Sequence, residues 1–185
     1  TRVSMPAVFT GRFYSEVSRS KGDWAEIYPD NLTPAERLRA AGYHTVGIPS
    51  HGYFKPNYGL HQGFEEWNLE VVERFTSRQA GAEGVEHRGT SYHVTGSAVT
   101  DVALKWIERE KVSSESRRRP FFLWLHYFDP HHFYQDHPEI NFRGNDRSPS
   151  QPIDLYDEEI LYTDQQIERF FTQFERSQLS QNTYV

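Results

Sequence analysis

The segment that most constrains the fold is a run of five consecutive apolar residues, FFLWL at positions 121–125. A strand with one face in water alternates apolar and polar side chains, whereas a strand covered on both faces carries apolar residues throughout. The run therefore predicts a strand of a parallel sheet, with other elements packed against both of its faces.

Helical patterns lie on either side of this strand in the sequence. Before it, apolar residues recur every three or four positions, as on one face of an amphipathic helix: Val99, Val102, Ala103, Trp106 and Ile107. After it, a second apolar face consists of Ile160, Ile167, Phe170, Phe171 and Phe174. Helices that alternate with a buried strand predict an α/β layered fold.

Two short helices and a second strand are predicted in the first fifty residues. Residues 4–11 contain Ser4 as a candidate N-cap and end in glycine, which is typical of a short helix. Thr33 and Glu36 have the spacing of a capping box, which predicts the start of another helix. Residues 43–48 follow that helix and predict a strand.

The remaining segments carry weaker signals. Residues 52–95 are rich in glycine and aromatic residues, and we expect loops with short elements there. Residues 135–152 are polar and contain three prolines, which predicts a long loop. Residues 182–185 are interpreted as the beginning of a further strand.

The composition excludes several classes of function. The 185 residues carry a net charge of −6, and a mildly acidic chain is a poor binder of nucleic acid because that binding depends on clustered Lys and Arg. There is no cysteine, so disulfides, zinc–thiolate sites and a Cys nucleophile are excluded. No window approaches the roughly 20 apolar residues of a membrane span. We expect one soluble domain, residues 1–185.

Polar residues follow both predicted strands. His126, Asp129 and His131 come directly after the apolar run, and His51 follows the earlier strand. Ligands of open α/β sheets bind outside the carboxyl ends of the strands, so these side chains are candidates for one site. Pro130 restricts the backbone between them and favours a functional position for His131.

A structural role remains open for two of the histidines. Imidazole can bind a metal, transfer a proton or, when protonated, donate hydrogen bonds to an anion. His126 equally fits a partly buried histidine with satisfied hydrogen bonds, and His132 fits a surface residue.

The first residue is a further candidate. Thr1 lies three residues before Ser4, just ahead of the first predicted helix. The positive end of a helix dipole favours an oxyanion or a nucleophilic oxygen at that place. Thr1 also fits an ordinary capping hydroxyl, and position alone does not decide between the two.

The order of the motifs resembles the sulfatase family of the alkaline-phosphatase superfamily. The resemblance covers nearly the whole chain and rests on these segments: TxxS at 1–4, FTG at 9–11, LTPAERL at 32–38, AGYHT at 41–45, GLHQGFE at 59–65, PFFLWLHY at 120–127, DPH at 129–131 and YTD at 162–164. It implies a layered α/β/α alkaline-phosphatase-like sheet, of which this chain is an incomplete, central part.

The resemblance also implies roles for individual residues. Thr1 is similar in position to the family's nucleophile, a Cys that is converted to formylglycine, and His131 is similar to a His that contacts the sulfate. His51 falls near a second sulfate-contacting element. We therefore assign Thr1, His131 and His51 to catalysis, and we assign to substrate binding Ser4, His126 and Asp129.

Three departures from the family pattern leave other functions open. Thr1 cannot become formylglycine, and Val3 and Met5 replace the motif's Pro and Arg. One alternative is a Thr-dependent phosphoglycerol or phosphoethanolamine transferase, or a phosphodiesterase, of the same superfamily. Another is a non-catalytic module that binds anions. The resemblance implies an anionic small-molecule, glycan or lipid ester as substrate, and a location outside the cytoplasm.

The resemblance implies a divalent metal in the intact protein, Ca²⁺ ahead of Zn²⁺ or Mn²⁺. The family holds this metal with an acidic pair before the nucleophile and with an element after the strand that begins at Thr183. We therefore expect the isolated 185-residue chain to bind no metal and to be inactive. Sulfatase and phosphodiesterase assays with added Ca²⁺, Mn²⁺ or Zn²⁺ test this, and measurable turnover would contradict it.

Overall fold

A computed structural model describes residues 2–77, 95–112, 119–131, 134–135, 137, 139–140, 142 and 152–185. Its strands are β1 (His44–Ile48), β2 (Glu66–Trp67) and β3 (Phe121–Leu125), which form a parallel sheet in the order β2-β1-β3. Its helices are α1 (Ser4–Thr10), α2 (Pro34–Ala40), α3 (Glu70–Ser77), α4 (Gly96–Val112) and α5 (Pro152–Glu175). The predicted α/β fold with a parallel sheet is confirmed.

Two apolar layers cover the two faces of the sheet. On one face, β1 contributes Val46 and Ile48 to a core that also contains side chains of α4 and α5. On the other face, Phe9 of α1 and Ala35 of α2 pack in a second core. Alternate side chains of a strand point to opposite faces, and β3 accordingly contributes Leu123 to the first core and Trp124 to the second. The sheet is thus the middle layer of an α/β/α arrangement.

The predicted strand at 121–125 is confirmed, but its side chains are only partly buried. The reason is its place in the sheet, because β3 pairs with β1 along one edge and lies at the end of the order β2-β1-β3. A groove of about 500 Å³ runs beside it, lined in part by Phe171 of α5 and by Tyr184. The apolar sequence therefore predicted the strand correctly, but it did not predict that β3 lies at the edge of the described sheet.

Local signals located α1 and α2 well. Thr33 accepts a hydrogen bond from the backbone N–H of Glu36, and the Glu36 side chain accepts one from Thr33 N–H, as predicted. Ser4, in contrast, is not the N-cap of α1. Val3 holds that position without a side-chain hydrogen bond, and Ser4 is the first helical residue.

The sequence predicted the elements less reliably where their positions depend on tertiary contacts. α3 lies in a region predicted as loops with short elements, and α5 begins at Pro152, the last residue of the predicted polar loop. Ile160 is 43% exposed, so it does not belong to the buried face of α5, which is formed by Phe170 and Phe174. Thr183 has an extended backbone but lies outside the described sheet.

Buried carboxylates on α5 hold part of the polar segment that precedes it. Glu159 is 1% exposed, accepts a hydrogen bond from the backbone N–H of Gln135 at 2.7 Å, and lies 3.6 Å from His137 Nε2. Glu158 accepts from the backbone N–H of Phe142 at 3.3 Å. These contacts hold Gln135 and Phe142 against the helix, although the composition of the segment is that of a solvated loop.

The turn after β3 is fixed to the start of α4 through Asp129. Asp129 Oδ1 accepts hydrogen bonds from the backbone N–H groups of Thr95 at 2.7 Å and Gly96 at 3.0 Å. Asp129 Oδ2 accepts from the Thr95 hydroxyl at 2.9 Å. A carboxylate at this end of a helix satisfies N–H groups that have no partner within the helix and interacts favourably with the helix dipole.

Replacement of Gly47 in β1 should destabilise the sheet. A Cβ added to Gly47 would overlap the Trp67 ring, whereas a Cβ added to Gly52 meets no atom within 4 Å. We expect Gly47→Ala to lower the free energy of unfolding by about 1–3 kcal/mol, as overpacking usually does. Urea denaturation of both variants measures the difference. Equal stability of Gly47→Ala and the Gly52→Ala control would contradict the packing described here.

Replacement of Asp129 should destabilise the junction between β3 and α4. Asp129→Asn replaces the carboxylate that accepts from the Thr95 and Gly96 N–H groups with a neutral amide. Because hydrogen bonds to a charged group are stronger and the helix dipole favours a negative charge here, we expect a loss of about 1–2 kcal/mol in the free energy of unfolding. Asp101→Asn is the matched control on the exposed face of α4, where the carboxylate pairs with Arg169. Exposed ion pairs contribute about 0–1 kcal/mol. Urea denaturation that ranks the control as more damaging would rule out the capping role.

Candidate functional site

Three histidines gather around one aromatic side chain at the carboxyl edge of the sheet. The Phe128 ring lies with its centroid 4.4 Å from that of His51, 4.4 Å from that of His131 and 5.9 Å from that of His126. His51 comes three residues after the end of β1, and His126 comes directly after β3. The parallel strands thus bring together the three histidines that the sequence singled out, which we call the imidazole cluster.

Ser50 joins the two strand ends beneath this cluster. Its hydroxyl donates a hydrogen bond to the backbone carbonyl of His126 at 2.7 Å and lies 3.1 Å from His126 Nδ1. The backbone N–H of His126 donates to the carbonyl of Ile48, which extends the pairing of β1 and β3 by one step. Ser50 is 1% exposed, so its hydroxyl is part of the interior of this junction.

The two inner histidines are neutral at physiological pH. Burial, together with a smaller contribution from the nearby His131, lowers the pKa of His51 to about 4. Burial likewise lowers the pKa of His126 to about 3, with a smaller contribution from His51. A buried imidazolium would lose its hydration, and two neighbouring cations would repel each other. His51 and His126 therefore do not supply positive charge to an anion.

His131 differs from them because it is exposed. The backbone N–H of His131 donates to the carbonyl of Phe128 at 3.0 Å, which closes a tight turn, and its ring stacks on Phe128 with an interplanar angle of 19°. The turn and the ring contact fix the direction of the side chain while leaving it in contact with water. His131 is thus the member of the cluster that can exchange protons with solvent most readily.

The start of the chain lies on the same side as His51. The Arg2 guanidinium is 5.8 Å from the centroid of the Trp24 ring and 3.2 Å from the Asp23 carboxylate. Trp24 in turn stacks on His51 with a centroid distance of 5.8 Å. Arg2 is therefore linked to the imidazole cluster through a single aromatic ring.

Of the two candidate residues near the start of the chain, the structure describes Ser4. Ser4 is exposed at the first position of α1. Thr1 lies outside the described residues, so the shared cleft of Thr1 and His131 stays a prediction. His132 also lies outside the described residues.

Asp129 lies in the same turn as His131 but is 5% exposed. Both of its carboxylate oxygens accept hydrogen bonds from the N-terminus of α4. A ligand at the imidazole cluster would have to compete with three existing hydrogen bonds for this carboxylate.

Sequence reasoning overlooked three residues that shape the cluster. Phe128 contacts all three imidazoles, Trp24 stacks on His51, and Ser50 connects the strand ends. For Ser50, the one sequence feature that could have indicated a role was its position directly before His51. Nothing local indicates that its hydroxyl reaches a residue 76 positions later in the chain.

A metal ion finds no ready site in this part of the protein. Within the residues that the structure describes, no group of three or more His, Asp or Glu side chains is arranged to hold a cation. In the same residues, no helix combines the length and the apolar surface that a membrane crossing requires.

Comparisons with known proteins place the fold and the family. The family model described as Sulfatase matches residues 1–185. Arylsulfatase K of Danio rerio is 26% identical over 137 residues, which cover 72% of this chain and 25% of that protein.

Two solved structures share the fold. The crystal structure described as Ps i-CgsB has a TM-score of 0.61 and 16% identity, over 97% of this chain and 45% of that one. A protein in the alkaline phosphatase superfamily from Vibrio parahaemolyticus has a TM-score of 0.57 and 19% identity, over 95% and 39%. The chain thus spans less than half of each of these proteins. Because the family model covers the chain from its first residue to its last, the chain belongs to the sulfatase family.

Proposed function

We propose that this chain forms part of the active site of an enzyme that hydrolyses sulfuric esters. The observation that carries the proposal is the imidazole cluster at the carboxyl edge of the sheet, in a chain of the sulfatase family. Sulfate esters are anionic, and their cleavage places charge on the leaving oxygen, which a positioned imidazole can neutralise. The likeness to arylsulfatase K supports the same class of substrate.

The reaction that we propose is a displacement at sulfur. The Thr1 oxygen forms a bond to sulfur while the bond from sulfur to the ester oxygen breaks, and the hydroxyl proton of Thr1 passes to water. The leaving oxygen keeps the electron pair and takes a proton from the imidazolium of His131. Water then hydrolyses the sulfated Thr1, which releases sulfate and restores the hydroxyl.

The remaining candidate residues have supporting tasks in this proposal. His51 is neutral and donates a hydrogen bond to the bound ester, and His126 is neutral and accepts one from the attacking hydroxyl or water. Ser4, at the start of α1, also binds the ester in this proposal. Asp129 acts through the turn that it anchors and so positions His131. The divalent metal of the family would add Lewis-acid chemistry, for which the described residues provide no ligand group.

A second candidate function follows from the identity of residue 1. A threonine hydroxyl is a nucleophile for phosphoryl groups as well, so phosphodiester cleavage or transfer by the same fold is the alternative. A non-catalytic anion-binding module would bind the ester and leave it intact. Substrate choice and turnover distinguish these possibilities.

The test is turnover of 4-nitrophenyl sulfate and bis(4-nitrophenyl) phosphate by the complete gene product. We expect the sulfate to be the better substrate, Thr1→Ala to abolish turnover, and His131→Gln to lower kcat/KM by about 10²-fold or more, as loss of a general acid does. His61→Gln, outside the cluster, is the matched control and should keep the wild-type rate. Preference for the phosphodiester would establish the second candidate instead, and an unaffected His131→Gln would contradict the role of the cluster.

A further inference from the structure

The hydrogen bonds around the two inner histidines determine where each ring carries its single proton. A neutral imidazole has one nitrogen that donates and one that accepts, and the partner of one nitrogen fixes the role of the other. His51 and His126 are both neutral because burial lowers their pKa values. Each ring therefore exists as one of two tautomers, and the local contacts select between them.

For His51, the selecting group is a backbone amide. The N–H of Tyr53 donates to His51 Nδ1 at 3.1 Å. A backbone N–H can only donate, so Nδ1 must hold a lone pair. The proton of the neutral ring is then on Nε2, and His51 offers an N–H donor at that nitrogen.

For His126, the selecting group is the Ser50 hydroxyl. A serine has one hydroxyl proton, and the 2.7 Å contact between Ser50 Oγ and the His126 carbonyl oxygen requires that proton, because two oxygen lone pairs would otherwise face each other. Ser50 Oγ is then only an acceptor towards His126 Nδ1 at 3.1 Å. Nδ1 must carry the ring proton, and Nε2 holds the lone pair.

We propose that the cluster contains an opposed pair of neutral tautomers, His51 with its proton on Nε2 and His126 with its proton on Nδ1, and that Ser50 is the positioning residue that sets the second. The pair then offers a bound group one donor and one acceptor. This inference rests on the proposed function for the identity of the bound group, an anionic ester beside an O–H.

The chemistry of the two nitrogens gives each a separate partner. His51 Nε2–H suits an anionic oxygen of the ester, and it can donate a hydrogen bond but cannot give up its proton, because an imidazolate would result. His126 Nε2 can accept a hydrogen bond from an attacking hydroxyl or water. It cannot accept one from an unprotonated sulfate ester, because the ester has no O–H group. The pair therefore orients a nucleophile against an ester, and proton transfer to the leaving oxygen falls to the exposed His131.

Nitrogen-15 NMR of the complete gene product, labelled on histidine, reads the tautomers directly without substrate. At pH 7 we expect His51 to give the signature of the Nε2–H form and His126 that of the Nδ1–H form. His51→Gln and His126→Gln each remove one set of signals and so assign them. An Nε2–H signature for His126, or an Nδ1–H signature for His51, would overturn the proposal.

Ser50 variants test the positioning role. Ser50→Ala removes the acceptor for Nδ1–H, so we expect His126 to become a mixture of tautomers while His51 is unchanged, and Ser50→Thr should restore the wild-type spectrum. Ser180→Ala, which also removes a hydroxyl that donates to backbone carbonyls, is the matched control. If Ser50→Ala does not fold, the wild-type and Ser50→Thr spectra decide. A folded Ser50→Ala protein with unchanged His126 signals would disprove the role of Ser50.

Addition of inorganic sulfate separates this inference from the proposed function. We expect sulfate to shift the Nε2–H resonance of His51 and to leave its tautomer unchanged. If both tautomers are as expected and sulfate shifts the His51 resonance, but the protein hydrolyses no ester, the proposed hydrolysis is refuted. The opposed pair of tautomers is then still supported. Correct tautomers with no sulfate shift would refute the assignment of His51 as the donor to the anion.

Discussion

The parallel pairing of β1 with β3 is the constraint on which the site depends. The register aligns His44 with Phe121 and Ile48 with Leu125, so both strands end at the same level of the sheet. His126 and the residues that follow Ile48 therefore leave the sheet side by side. A shift of one residue would turn every β3 side chain to the opposite face and would separate Ser50 from the His126 carbonyl. The hydrogen bond from Ser50 to the His126 carbonyl can therefore form only in the observed register of β1 and β3.

In the function proposed here, the burial of this junction makes the cluster select a ligand by the direction of its hydrogen bonds more than by its charge. Two of the three imidazoles lose their positive form because the aromatic surroundings exclude water, and each ring keeps a fixed donor and a fixed acceptor. Hydrogen bonds in such surroundings are stronger than in water because the local dielectric is low. Specificity then arises from which atoms of the bound group face which nitrogen.

The sequence predicted those parts of the structure that depend on neighbours in the chain. The capping box of Thr33 and Glu36 needs only local residues, and the strand at 121–125 is recognisable from its local apolar run; both formed as expected. The exposure of Ile160 depends on which α5 face meets α4, which no helical periodicity specifies. The gathering of histidines followed from a general rule about parallel sheets. The Ser50 and Asp129 contacts could not be predicted, because each joins residues more than 30 positions apart.

The turn from Phe128 to His131 reconciles two requirements that normally conflict. A histidine that exchanges protons with solvent needs contact with water, whereas a histidine that holds a fixed direction usually needs burial. Here the buried carboxylate of Asp129 fixes the turn to α4, and the Phe128 ring supports one face of His131. The side chain is held through its backbone and one aromatic contact, so it keeps its exposure. Replacing Asp129 would therefore disturb the direction of His131 through the turn that joins them.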